Sequence, residues 1–330
     1  MLLQKTQHQK VLPRRSVPET RKTSANQAAA KQPMAMGGVR IVKGQPSNKG
    51  GAKMTVDTLE VQVERLEARI TQLGSAKASK PTLVYFDIIG ICWPVRCLLH
   101  LKEIDYELIE ISIRQWSWHD QQGRQVLKSC FRNGHIPLYV DEAVNLNQSN
   151  VIMMYLGEQH DLIGDNPVEK LMAMEVMAHA YDALFHFSGL FQTNIKIGVT
   201  EEVFTARLNA YMGKGAWGVL SNGYQNNLDA FQRYLDANTS DGGFIVGNRL
   251  SVADLHAFNV LCNWFKAFDP TRFVETYPRL NDYIHRIAAV PGVLDYIACK
   301  QEATVWFELP DIAHRLTTPK ELDGLINSSR

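Results

Sequence analysis

The chain has 330 residues, 45% of them hydrophobic, and a formal net charge of +1. That length and apolar content allow two ordinary domains with a substantial core. No apolar run reaches the roughly 18 to 20 residues of a membrane span, so none is expected, and the near-neutral balance gives no reason to expect nucleic acid as a partner of the folded part. The five cysteines (Cys92, Cys97, Cys130, Cys262, Cys299) are odd in number and scattered. Free thiols in a reducing compartment are the simplest expectation, and no His or Cys grouping has metal-ligand spacing.

Residues 1–53 are rich in Gln, Lys, Arg, Ser, Pro and Gly, with Glu19 their lone acid. Such a segment cannot bury enough apolar surface to offset the entropy of ordering. It reads as a disordered basic tail, which places the protein in the cytoplasm, or as a transit peptide to a mitochondrion or plastid; no apolar secretory core is visible in it. In 54–80, Val56, Leu59, Val63, Leu66, Ile70 and Leu73 recur at spacings of 3, 4, 3, 4 and 3. β-branched residues at a and leucines at d form a heptad seam that favours a parallel two-stranded coiled coil. If the domain behind it is not dimeric, the same stretch is a loose amphipathic helix. Gly74–Lys80 reads as a linker.

Over 81–164 the elements alternate. Thr82–Asp87 is a β-rich run, Pro94–Lys102 is helical, and Tyr106–Ile111 is a second strand. After a less regular connection, Ile136–Val140 and Val144–Leu146 flank an Asp-Glu-Ala turn as a hairpin, and Asn150–Gln159 is helical. The order βαβ, then ββα, predicts a thioredoxin-like domain. Beyond the Gly164–Pro167 loop the strong patterns are helical, with apolar faces at Met174/Met177/Tyr181/Leu184/Phe185, Leu255/Phe258/Cys262/Phe265 and Leu280/Tyr283/Ile284/Ile287. An all-helical domain over 165–310 is expected, followed by an extension over 311–330. The sharpest local signal is Ser251 with Asp254 three residues on, a helix-capping pair with Leu250 and Leu255 placed as a hydrophobic staple.

Four of these places, in order, resemble the glutathione S-transferases, most closely the sigma-like (prostaglandin D synthase-like) class. Leu83-Val84-Tyr85-Phe86-Asp87 with Gly90 is similar to the first strand and its Tyr-Phe signature. Lys128-Ser129 through Gly134-His135-Ile136-Pro137 resembles the glutathione-binding loop that ends in a cis-proline, and Asn147-Gln148-Ser149 the helix start that follows it. Gly247 to Asp254 resembles the capping motif of the helical domain. The likeness implies α/β plus all-α architecture and a homodimer that takes reduced glutathione as substrate, adding it to an apolar electrophile or using it to isomerise a substrate. It implies detoxification chemistry without a metal.

A free thiol titrates near 8.5, so glutathione needs help to become a thiolate at neutral pH. By the resemblance, Tyr85 supplies that help as a hydroxyl donor. Trp116 or Trp118 and Lys128 would meet the glycyl end, His135, Ile136 and Pro137 the cysteinyl backbone, and Gln148 and Ser149 the glutamyl carboxylate at a helix N-terminus. Asp182 would reach the neighbouring subunit's glutathione amino group. Tyr181, Phe185 and Phe187 are candidates for the acceptor-substrate pocket, or for core.

The chain departs from the class at Gly90-Ile91-Cys92-Trp93, where Ile91 replaces an arginine that assists the tyrosine. Two other readings therefore stay open. Cys92, just before a predicted helix, could be a dipole-activated nucleophile of a thiol transferase; or the fold could serve as a non-catalytic dimerisation scaffold.

Overall fold

In a computed structural model of the chain, the described residues are 56–75, 80–86, 88–197, 201–216, 218 and 221–299. The basic tail over 1–53 and the extension over 311–330 lie outside them. The first element is helix α1 (Val56–Ser75). It is followed by β1 (Thr82–Phe86), a 3-10 turn (Gly90–Cys92), α2 (Trp93–Leu101), β2 (Glu107–Ile111), α3 (Ile113–Trp116), a second 3-10 turn (Leu127–Cys130), β3 (Leu138–Val140), β4 (Asn145–Asn147) and α4 (Ser149–Gln159). The sheet order is β2-β1-β3-β4. β1 runs parallel to β2, from Thr82 opposite Glu107 to Phe86 opposite Ile111, and antiparallel to β3, which pairs antiparallel with β4. All five residues of β1 are buried, as a central strand covered on both faces requires. The hairpin turn forms where expected: the Asp141 carboxylate accepts from the backbone N–H groups of Ala143 and Val144, each at 2.8 Å. This is the thioredoxin-like arrangement.

The second half is helical: α5 (Pro167–Ile197), α6 (Glu201–Tyr211), α7 (Gly223–Ala237), α8 (Val252–Val260), α9 (Pro270–Thr276), α10 (Pro278–Ala288) and α11 (Pro291–Cys299). Every residue of α8 is buried, so it is the hub against which α2, α5 and α10 pack. Its start is fixed by Asp254, whose carboxylate accepts from the Ser251 N–H (2.8 Å) and hydroxyl (2.9 Å), the Ile245 N–H (2.8 Å) and the Tyr283 hydroxyl (3.0 Å). Burial raises that carboxyl to about 6 against the pull of the four donors. The capping pair thus joins three elements rather than one. At its far end α8 runs on into a π-helical turn, Leu261–Lys266, which the apolar periodicity does not signal. Among the described residues no helix is long and apolar enough to cross a membrane.

α1 corrects the coiled-coil expectation. Leu59, Val63, Ile70 and Leu73 are buried within the chain itself, against α3 and the Leu127–Cys130 turn. A heptad pattern records only that one helical stripe is apolar; it does not say whether the partner is another chain or the chain's own domain.

Candidate active site

Tyr85 is the fourth residue of β1, and its hydroxyl lies beneath the 3-10 turn. The oxygen accepts from the Ile91 N–H at 3.2 Å, and the residue is 3% exposed. Gly90 makes this approach possible: its φ is +45°, and a Cβ there would sit 2.3 Å from the Tyr85 hydroxyl oxygen. Burial raises the Tyr85 pKa well above its ordinary value, helped by nearby Cys92 and opposed by the Ile91 N–H and Arg96. The phenol is therefore a proton-carrying donor at physiological pH. Its oxygen is already engaged as an acceptor, and no acceptor among the described residues takes its hydrogen.

Two residues that motif spacing does not point out complete this corner. Arg96, on α2, is 3% exposed and donates to the carbonyls of Phe86 (2.6 Å) and Ile88 (3.4 Å). Its guanidinium carbon lies 5.6 Å from the centre of the Tyr85 ring, and its head is 3.7 Å from Glu110. A cation is thus present at the tyrosine although Ile91 stands where an arginine was expected. The visible signal is one arginine among the apolar residues of Trp93–Leu99, which is buried only if it finds fixed acceptors. Asn259, on α8 and 1% exposed, donates to the Gly90 carbonyl at 3.1 Å while its own oxygen accepts from Asn263 at 2.9 Å. Gly90 C=O and Ile91 N–H belong to one peptide group, so Asn259 holds one end of the plane whose other end meets Tyr85.

Cys92 does not behave as a dipole-activated thiol. It has no exposure, and burial pushes it up to about 12, with Arg96 pulling the other way. Desolvation exceeds the helix-terminus effect at this depth.

The other candidates divide. The Ile136–Pro137 peptide is cis. The Asn147 side-chain amide spans it, donating to the carbonyls of His135 (3.3 Å) and Pro137 (3.1 Å). Lys128 runs its stem along Gly134, next to His135, so the lysine and the proline loop are brought together. Gln148 sits at φ 76°, an uncommon backbone for a residue with a side chain, and is the exposed N-cap of α4; Ser149 after it is buried. The Gln148 side chain makes no capping bond. Trp116 packs edge-on against Phe86 (5.6 Å) and tilted against Phe131 (5.7 Å), which ties that indole into the core. Trp118 lies two residues on, past the end of α3, and is half-buried.

On α5, Tyr181 and Phe185 stack one turn apart (6.3 Å, 13°), Phe185 is 61% exposed, and the Tyr181 hydroxyl is near enough to Tyr85 to affect its proton. Phe187 belongs to the core, with Tyr211, Trp264, Phe265 and Phe268 around it. Asp182 is exposed on the same helix. At 3.6 residues per turn, Leu171, Met174, Ala178, Asp182 and Phe185 fall within an arc of about 80°, and all five are exposed. No group of three or more His, Cys, Asp or Glu among the described residues is arranged to hold a metal.

Two family models match. The first, glutathione S-transferase N-terminal domain, covers residues 81–158, and the second, glutathione S-transferase C-terminal domain, covers 218–300. The chain belongs to the glutathione S-transferase family. Relatives of this transferase include glutathione S-transferase P 1 of Xenopus laevis, 26% identical over 65% of this chain and 90% of its own. Another is glutathione S-transferase P of Homo sapiens, 26% identical over 66% and 91%. Among solved structures, the glutathione S-transferase from Ascaris lumbricoides superposes with a TM-score of 0.55 at 21% identity, covering 68% of this chain and 98% of that one. The prostaglandin synthase D of Nilaparvata lugens does so at 0.54 and 20%, covering 68% and 100%. These likenesses establish the shared fold. Both family matches begin after α1, so that helix stands outside the transferase domains.

Proposed function

We propose that the protein conjugates reduced glutathione to an apolar electrophile, with Tyr85 donating its hydroxyl proton in a hydrogen bond to the glutathione sulfur. The observation that carries this reading is the commitment of the Tyr85 oxygen to the Ile91 N–H, which leaves the phenol hydrogen as the donor. A thiolate that receives such a bond is favoured over the thiol, and lowering its pKa by two units is worth about 2.7 kcal/mol. Arg96 adds positive charge beside the ring, which favours the anion further. Family membership supports glutathione as the substrate.

The rest of the tripeptide is assigned by position. Lys128 and one of Trp116 and Trp118 take the glycyl end. The His135–Pro137 loop takes the cysteinyl backbone, and Gln148 and Ser149 take the glutamyl carboxylate at the start of α4, where backbone N–H groups favour an anion. Tyr181 and Phe185 form the wall for the apolar substrate.

Two copies would pair through α4 and α5. The exposed Val151, Val168, Leu171 and Met174 supply an apolar surface, and Asp182 shares the α5 face with Leu171 and Met174. A second subunit placed there brings that carboxylate toward the partner's glutathione.

The test uses the full chain: calorimetric binding of glutathione together with conjugation of a generic aromatic electrophile, repeated with Tyr85→Phe. Binding with turnover that collapses in the variant is the expected result. Binding without turnover would favour the scaffold reading, and turnover untouched by Tyr85→Phe would remove the tyrosine from the mechanism.

A further inference from the structure

The connection between β2 and β3 carries Trp116, Trp118 and Lys128, yet its own regular structure is one turn of α3 and one 3-10 turn. Its support comes from α1. The helix sinks Leu59 (3% exposed), Val63 (1%), Ile70 (0%) and Leu73 (5%) against this connection. Polar contacts mark both of its ends. Gln115, which caps α3 by accepting from the Ser112 N–H at 2.9 Å, donates its amide to Gln62 at 3.1 Å. Arg124, whose Nε donates to Asp120 at 2.9 Å, pairs with Glu67 at 3.2 Å. Thr71 lies 4.0 Å from the Cys130 sulfur, and Arg69 pairs with Glu107 at the start of β2 at 2.7 Å. Exposed ion pairs contribute about 0–1 kcal/mol each, so the four buried apolar side chains hold the helix down and the polar contacts set its register.

We propose that α1 is an intramolecular strap whose docking positions residues 113–130 for the glycyl end of glutathione. The ligand named here rests on the functional reading above. A connection that is competent only part of the time binds with an apparent constant raised by the inverse of that fraction. The Tyr85 corner is built from β1, α2 and α8, which supply its bonds. Undocking should therefore raise the KM for glutathione and spare kcat, a division that simple loss of folded protein would not produce.

The experiment compares the unmodified full chain with Val63→Ala/Ile70→Ala, with the conservative Ile70→Val, and with the double variant carrying Thr71→Cys bridged to Cys130 by a short thioether linker that glutathione cannot reduce. Hydrogen exchange is followed in parallel. The expected result is a rise of about tenfold in KM for glutathione, equivalent to 1.4 kcal/mol, with kcat within about twofold. Exchange should quicken in 113–130 while β1, β3 and α8 stay protected. Ile70→Val should resemble the parent, and the bridge should restore KM.

An unchanged KM when exchange shows α1 undocked would overturn the proposal. So would loss of protection across β1, β3 and α8 together, because α1 would then hold the whole fold rather than one connection. Calorimetry on the unmodified chain separates the two claims: absence of glutathione binding there defeats the functional reading and the ligand with it, whereas equal binding by the docked and undocked forms defeats the strap alone.

Discussion

The two ends of the candidate glutathione site are built in opposite ways. The sulfur end is internal: Tyr85, Gly90, Arg96 and Asn259 are all buried, and each is fixed by a bond or close contact from a different element. The glycyl end is peripheral. Lys128 is exposed, Trp116 and Trp118 are half-buried, and the connection is braced from outside by a helix that neither family match includes. A buried, fully bonded corner suits chemistry, since a donor in a water-poor site is worth more and needs no reorganisation. An exposed, strapped connection suits recognition, because its energetics can be altered without disturbing the sheet. The account therefore predicts that substitutions at the sulfur end change kcat and those at the glycyl end change KM.

The largest break should come from Tyr85→Phe, which removes one hydroxyl and no packing. Loss of a single preorganised donor costs on the order of hundredfold in kcat, with glutathione affinity nearly kept; steady-state kinetics with saturating glutathione checks this. Next is Asn259→Leu, which strands the buried Gly90 carbonyl. We expect a loss of about 1–3 kcal/mol in stability by urea unfolding, together with about a tenfold fall in kcat, since the peptide facing Tyr85 is no longer held. A fall in stability with kcat unchanged would confine Asn259 to a structural role.

A smaller effect separates the helical hub from the site. His256 is buried on α8, and burial lowers its pKa from 6.5 to about 4. A depressed histidine contributes stability that is present above pH 6.5 and is lost as pH falls toward 4. Between pH 7 and pH 5 the parent should lose about 1–2 kcal/mol that His256→Leu does not lose, read from urea midpoints at the two pH values. Asp254, raised to about 6, works in the opposite direction over much of the same window, so the comparison of parent with variant, rather than the parent's slope alone, isolates the histidine. The smallest expected effect is at Cys92→Ala. Conjugation should stay within about twofold, because a sealed thiol held near 12 is not a nucleophile at neutral pH; abolished activity would restore the thiol-transferase reading.

Much of this is legible in the sequence. The alternation of strand and helix over 82–159, the Asp141 turn and the Ser251–Asp254 pair are local patterns, and local physics wrote them; the Tyr-Phe and Ile-Pro motifs are legible through the family resemblance. What the sequence could not show depends on distance in the fold. Asn259 acts on Gly90 across 169 residues, and nothing in either neighbourhood announces the other. Arg96 is visible only as an anomaly among the apolar residues of Trp93–Leu99. The α1 seam is legible as apolar but not as intramolecular, and Cys92 is legible as a helix-start cysteine but not as a buried one, because depth is a property of the packed core.

The central claim is that Tyr85 favours the glutathione thiolate, and the most direct measurement is an ultraviolet pH titration of glutathione bound to the full chain and to Tyr85→Phe. The account predicts a bound-thiol pKa well below the free value near 8.5 in the parent and a return toward that value in the variant. A bound thiol that titrates like free glutathione in both, or equally low in both, would contradict it.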